Sequence, residues 1–163
     1  MRIGLVADTH DNRDAVDFAV ETFADADVDT VLHCGDFVAP FSAAAFEGPW
    51  AFHAVRGNND GEWALDGLIN DFGTYHGECA ELRLDDSDIA LYHGTSEALV
   101  DGLVEGGRYD YVVRGHTHER DEETVDGTTR VNPGGISIPP APSSFSVGIL
   151  DTTEDTVEFR TFD

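Results

Sequence analysis

Apolar runs of four or five residues punctuate the first third of the chain, and helical periodicity fills the gap between the first two. Ile3–Ala7, Thr30–Cys34 and Ala51–Val55 read as strands. Between the first pair, Ala15, Val16, Ala19, Val20 and Phe23 recur at helical spacing, behind Asp11 or Asn12, either of which can cap a helix. A right-handed crossover then sets the first two strands parallel and close together. A short helix is expected around Ser42–Phe46, whereas Gly61–Glu78 carries mixed signals and receives no element. Beyond it the chain turns β-rich. Cys79–Leu84 and Asp88–Tyr92 flank an Asp-Asp-Ser turn as a hairpin, and Ser96–Val104 reads as a helix carrying Ala98, Leu99, Leu103 and Val104. Tyr111–Arg114 is a strand, and Thr124–Val131 turns at Asp126-Gly127, a strong hairpin dipeptide. The acidic run Glu119–Glu123 reads as a solvated loop, and Phe145–Leu150 pairs with Thr156–Phe162 about Thr152–Asp155. No repeat, linker or break interrupts this order. It predicts one domain over residues 1–163, a two-sheet sandwich flanked by helices.

Polar clusters follow five of these strand-like runs: Asp8-Thr-His10, Gly35-Asp36, Gly57-Asn58-Asn59-Asp60, His93-Gly94 and Gly115-His116-Thr-His118. Strand ends that all deliver nitrogen or oxygen donors point to one shared metal centre at a carboxyl edge, where open α/β sheets place their ligands. Asp8 and His10 are two apart, so in extended chain their side chains point the same way. Gly35 lets the backbone approach closely at Asp36, whose carboxylate can give one oxygen to each of two metals. His116 and His118 reach two metals from one loop, and Asn58 and His93 complete a second set. Such a thiolate-free site suits Mn²⁺, Fe, Ni²⁺ or Zn²⁺, with Mn²⁺ the first expectation. Two ions ~3.5–4 Å apart acidify a bridging water and neutralise phosphate oxygens, so the pattern predicts hydrolysis of a phosphate ester without a protein nucleophile.

At these residues the chain resembles the calcineurin-like metallophosphoesterase superfamily, whose pattern runs D-x-H, G-D, G-N-x, a lone His, then G-H-x-H. The length, the Asn132-Pro133-Gly134-Gly135 turn and the β-rich end resemble its compact YfcE-like phosphodiesterase branch. The resemblance implies an α/β fold of four-layer αββα sandwich type. It also implies Asp8, His10, Asp36 and His118 on one ion, with Asp36, Asn58, His93 and His116 on the other. The implied activity is hydrolysis of small phosphodiesters by attack of a metal-bridging hydroxide. One departure stands out. Where larger phosphoesterases place a His that protonates the leaving group, this chain has Asn59, which lacks a suitable pKa. Asn59 is therefore expected on the leaving-group side with a lowered rate. The rival reading is a protein-interaction scaffold resembling the small retromer subunit; seven competent donors weigh against it.

Composition changes the picture in one respect. Among 163 residues, 33 are acidic against nine basic, a net charge of −24, and every base is an arginine. The acids are dispersed rather than gathered into a tail, and 40% of residues are hydrophobic, enough for a core burying roughly two-thirds of the unfolded surface. That combination resembles proteins of a halophile, whose cytoplasm at about 1 M salt shortens the screening length to roughly 3 Å. No basic track exists to hold a polyanion, so a nucleic-acid partner is not expected. Cys34 and Cys79 sit in strand-like apolar runs and are expected as free buried thiols. No leader is expected, since strand-like Ile3–Ala7 begins almost at once, and no apolar run approaches the ~20 residues of a membrane span. The expectation is a cytoplasmic protein without a membrane partner, with room for a homo-oligomer.

Other residues carry smaller expectations. His33 and His53, within strands, are read as structural, and His76 as a candidate to approach substrate. Arg56 and Arg114 either face the phosphate or make structural ion pairs. Asp60 either anchors the metal loop or stabilises a turn. Trp63 and Phe72 are assigned to the core by default, with a lid or an oligomer contact as the alternative, and pocket walls are expected in residues 61–78 and 132–144.

Overall fold

Alternation along β1 (Arg2–Val6) decides the layering: Ile3 and Leu5 face one hydrophobic cluster and Val6 another. Two buried faces on one strand require a layer on each side. The computed structural model describes residues 1–137 and 144–162. After β1 come α1 (Arg13–Asp25), β2 (Thr30–His33), α2 (Pro40–Ala44), β3 (Ala51–Ala54), α3 (Leu65–Phe72) and β4 (Thr74–Tyr75). The chain then forms β5 (Cys79–Leu84), β6 (Ser87–Tyr92), α4 (Glu97–Glu105), β7 (Tyr111–Val113), β8 (Asp121–Val125), β9 (Thr128–Asn132), β10 (Phe145–Asp151) and β11 (Thr156–Phe162).

One sheet has the order β11-β10-β1-β2-β3-β4 and the other β5-β6-β7-β9-β8. β1 and β2 pair in parallel, Ile3 opposite Thr30, as the crossover rule requires. A cluster containing Ile3, Leu5, Leu32, Val55, Ile89, Leu91 and Val113 fills the space between the sheets. On the outer face of the first sheet, Ala15, Val16, Ala19 and Phe23 of α1 pack with Leu65 and Ile69 of α3. On the outer face of the second, Val104 of α4 meets Ala90 and Val112. The expected αββα sandwich is the fold. Asn12, not Asp11, caps α1: its Oδ1 accepts from the Ala15 amide at 3.1 Å. Phe23 is wholly buried, and truncating it to Ala costs about 3–5 kcal/mol.

Four expectations are corrected. The unassigned segment 61–78 contains α3, whose Leu65, Leu68, Ile69 and Phe72 have helical spacing that Gly67 and Asn70-Asp71 obscured. The acidic run 119–123 is solvated as expected, but its residues 121–123 belong to strand β8 and not to a loop, held by Arg130 to Asp121 at 2.8 Å and to Glu123 at 2.9 Å. Cys79 is exposed, since β5 is an edge strand that turns it outward; only Cys34 is buried, and both are free. Trp63 is 91% exposed instead of in the core, while Phe72 does pack against it.

Candidate metal centre

Each donor-bearing loop leaves the carboxyl end of a strand. Asp8 follows β1, Asp36 follows β2, Asn58 follows β3, His93 follows β6 and His116 follows β7. Backbone bonds then stitch the loops together: the Asp8 amide donates to the Gly35 carbonyl, that of His10 to Asp36 and that of Gly115 to His93, all at 3.0 Å. Close approach needs glycine at particular points. A Cβ on Gly115 would stand 2.7 Å from Asp8 Oδ2, and one on Gly57 would overlap the Asp36 carboxylate.

The side chains do not converge by strand alternation. Asp8, His10, Asp36, His116 and His118 all have positive φ, between 43° and 72°. The extended-chain argument for Asp8 and His10 is therefore corrected: left-handed backbone aims them. Each such residue stores of order 1–3 kcal/mol of strain. Surrounding bonds hold that strain, and Asp60 supplies several of them. Its Oδ2 accepts from the amides of Asp36 and Gly57, both at 2.8 Å, and its Oδ1 accepts from Val38 at 2.9 Å. Val38 is itself at φ 81°, a rare state for a β-branched residue. Asp60, 4% exposed, is thus the anchor of this loop and no solvated turn residue.

All seven expected donors come together. Asp8, His10 and His118 form one group, and Asp8, Asp36 and His93 another, with ligand atoms of each group mutually within 4.8 Å. Asn58 Oδ1 lies 3.0 Å from His93 Nε2 and 2.9 Å from His116 Nδ1, joining the last two donors. His93 Nδ1 donates to the Cys34 carbonyl and His118 Nδ1 to the Ile136 carbonyl, both at 2.7 Å. These bonds fix the tautomers and leave each Nε2 free to ligate. Neutral His93 then aims a lone pair at Asn58 Oδ1 and at Asp36 Oδ2, 3.4 Å away; a proton or a cation belongs between such acceptors. Asp8 Oδ1 and His10 Nε2 are buried without any hydrogen-bond partner. Unpaired buried polar atoms are costly, and a divalent cation satisfies both. The residues fit a metal.

The electrostatics agree. Burial raises the Asp8 carboxyl above its usual range, with His93 and His118 opposing. Burial also works against ionised Asp36, but the imidazoles of His10 and His93 and two donors from Asn59 outweigh it and hold the group well below the usual carboxylate range. His10 is raised by the adjacent Asp36. For His93, burial pulls down but Asp36 and Asp8 prevail, and the imidazole is raised. His116 is lowered by burial and by neighbouring His93.

Asn59 turns inward. Its amide N–H donates to Asp36 Oδ1 and its Nδ2 to Asp36 Oδ2, both at 2.8 Å, so it engages a candidate ligand directly. Arg56 pairs with Glu78 at 3.1 Å and donates to the Asp60 carbonyl, and Arg114 pairs with Glu97 at 2.7 Å. Both are structural ion pairs. His33 is buried, stacked on Phe37, and accepts from the Gly35 amide at 3.1 Å. His53 Nδ1 and His76 Nε2 meet at 3.0 Å, which engages His76 with a strand neighbour. Residues 138–143 of the expected pocket wall lie outside the described residues. Sequence reasoning missed Asn59 as a partner of Asp36 and Glu97 as a partner of Arg114; no local signal marks either.

A two-sheet αββα sandwich with a mixed nitrogen/oxygen cluster at one carboxyl edge defines a class, the metallophosphoesterase fold with a candidate divalent-metal centre. The chain belongs to the calcineurin-like phosphoesterase superfamily, whose domain it matches over residues 1–155, and it is a phosphoester hydrolase. It is similar to the phosphodiesterase MJ0936 of Methanocaldococcus jannaschii, 38% identical over 93% of each chain. A solved archaeal phosphodiesterase superposes with a TM-score of 0.92 at 34% identity, covering 99% of this chain and 100% of that one. At a TM-score of 0.70 the fold alone is shared with two others. These are Yfce, a phosphoesterase from E. coli (22% identical, 96% of each chain), and Vacuolar Protein Sorting 29 from Cryptosporidium parvum (18% identical, 99% and 97%).

Proposed function

We propose that this protein hydrolyses small phosphodiesters with two divalent ions, Mn²⁺ first among them. Asp8, His10, Asp36 and His118 would hold one ion; Asp36, Asn58, His93 and His116 would hold the other. The observation that carries the reading is the pair of orphaned buried atoms, Asp8 Oδ1 and His10 Nε2, at the meeting point of five loops. When bound, such ions activate water at neutral pH and neutralise the charge that develops on a transferring phosphoryl group. The chain's own residues do the remaining work. Asp36, its carboxyl held below the usual range by His10, His93 and Asn59, presents Oδ2 to both imidazoles. Asn59 orients that carboxylate, and the Cys34 and Ile136 carbonyls orient His93 and His118. Asn59 stands where a proton-donating His would serve the leaving group, so diesters with good leaving groups suit the site best.

The scaffold reading rests on a fold shared at 18% identity. A scaffold has no physical use for a strained cluster of unpaired donors. The acidic surface supports a salt-rich cytoplasm as the setting, and the chain is read as one domain. Among the described residues no helix is long and apolar enough to cross a membrane.

The test is direct. Chelator-stripped protein is assayed in molar KCl with bis-p-nitrophenyl phosphate and p-nitrophenyl phosphate, with and without Mn²⁺. Metal-dependent turnover of the diester is expected, and lost in Asp8→Ala. A protein loaded with two ions that leaves every diester intact sinks the reading.

A further inference from the structure

Arg114 is one of nine bases in the chain and is only 4% exposed. A buried guanidinium needs several partners to offset its lost hydration, and Arg114 finds three. Nη1 donates to both carboxylate oxygens of Glu97 on α4, at 2.9 and 2.7 Å. Nη2 donates to the Gly94 carbonyl at 3.1 Å, and Nε donates to that of Gly115 at 3.3 Å. Gly94 directly follows His93, and Gly115 directly precedes His116. Among the described residues, the last backbone bond between these two segments is from the Gly115 amide to the His93 carbonyl. Beyond that bond the guanidinium links the two backbones again, while Asn58 Oδ1 lies between the two imidazoles. Gly94 is shaped to it: at φ 98°, a Cβ there would stand 2.8 Å from Arg114 Nε.

We infer that Arg114, neutralised by Glu97, is a positioning residue that sets the spacing of His93 and His116 and so the affinity of the second metal position. Four of its five N–H donors are committed to Glu97, Gly94 and Gly115 and the side chain is 4% exposed, so its role is in holding the loops. Lysine cannot replace it, because an ammonium lacks the planar fork that spans two carbonyls and a carboxylate. The Asp8, His10 and His118 group draws also on the Ile136 carbonyl through His118 and touches the Arg114-supported segment only where the His116 amide donates to Asp8 Oδ2 at 2.8 Å, so the larger effect falls on the ion of His93 and His116. The inference rests on the two-ion reading, and the experiment separates their failures.

Metal-free wild type, Arg114→Met, Arg114→Lys and Glu97→Gln are titrated with Mn²⁺, free ion being counted by electron paramagnetic resonance, and kcat and KM are read at low and saturating Mn²⁺. Wild type is expected to take up two ions. Arg114→Met should keep the first and bind the second roughly tenfold or more weakly, with kcat restored by excess Mn²⁺ and KM little changed. Arg114→Lys should recover only part of the loss, and Glu97→Gln should weaken the same ion even if Arg114→Met fails to fold. Folded variants that bind both ions as wild type does, with only a lowered melting temperature, overturn the inference. A wild type that takes up a single ion overturns it together with the two-ion reading. A selective loss of the second ion upholds it even where no diester is turned over.

Discussion

His10 Nε2 lies 3.3 Å from Asp36 Oδ2, yet it is buried without a hydrogen bond. The approach is close but misaligned, as befits two ligands aimed at a common ion. Cis ligands at bond lengths of roughly 2.0–2.2 Å stand about 3 Å apart. Asp36 Oδ2 also lies 3.4 Å from His93 Nε2, which sets one carboxylate oxygen against two imidazoles.

Asp36→Asn should therefore abolish activity and leave fewer than one ion per chain. The amide keeps the shape but removes the charge that both imidazoles face. Elemental analysis and turnover check it together; two ions and normal rate in the variant would remove Asp36 from the bridging position.

Asp60→Asn should destabilise the protein by about 1–3 kcal/mol, since an amide nitrogen would face at least one of the three backbone donors that the carboxylate now accepts. Activity should fall with it, because the Asp36 loop loses its anchor. Urea denaturation of the metal-free protein reads the stability change, and an unchanged midpoint would contradict the anchoring role.

Stability of the metal-free protein should peak near neutral pH. Burial lowers His33, His53, His76 and His116, so their contribution is present above the unfolded value of about 6.5 and lost as pH falls. His10 and His93 are raised; their contribution is full below about 6.5 and lost as pH rises through the folded value. Mn²⁺ should abolish the alkaline decline, because it takes the place of the proton. Melting curves across pH with chelator and with Mn²⁺ test this. A chelated protein that grows steadily more stable from neutral to alkaline pH would refute it.

Dilution from molar salt should lower the melting temperature of the metal-free protein substantially, as 33 acids face only nine bases and repulsion is no longer screened. Bound Mn²⁺ should blunt the effect by stabilising the native state. A melting temperature indifferent to salt without metal would leave the acidic surface unexplained as a salt adaptation.

Most strands and helices, the two-sheet layering and the convergence of the seven polar residues on one edge were legible because each has a local signature. Apolar period sets element type, and polar clusters at strand ends mark the carboxyl edge. The α3 helix was legible too, in Leu65, Leu68, Ile69 and Phe72, but glycine and Asn-Asp within it obscured the period. What only the tertiary structure decided is non-local. Left-handed backbone at Asp8, His10, Asp36, His116 and His118 depends on bonds from loops far along the chain, because no isolated residue bears that strain. The inward turn of Asn59 onto Asp36, the grip of Asp60 on the Asp36 loop and the pairing of Arg114 with Glu97 all join residues whose neighbours in sequence say nothing of one another. Local pattern fixes which groups arrive at the edge; packing between sheets and loops fixes how far apart they stand, and that spacing is what a metal reads.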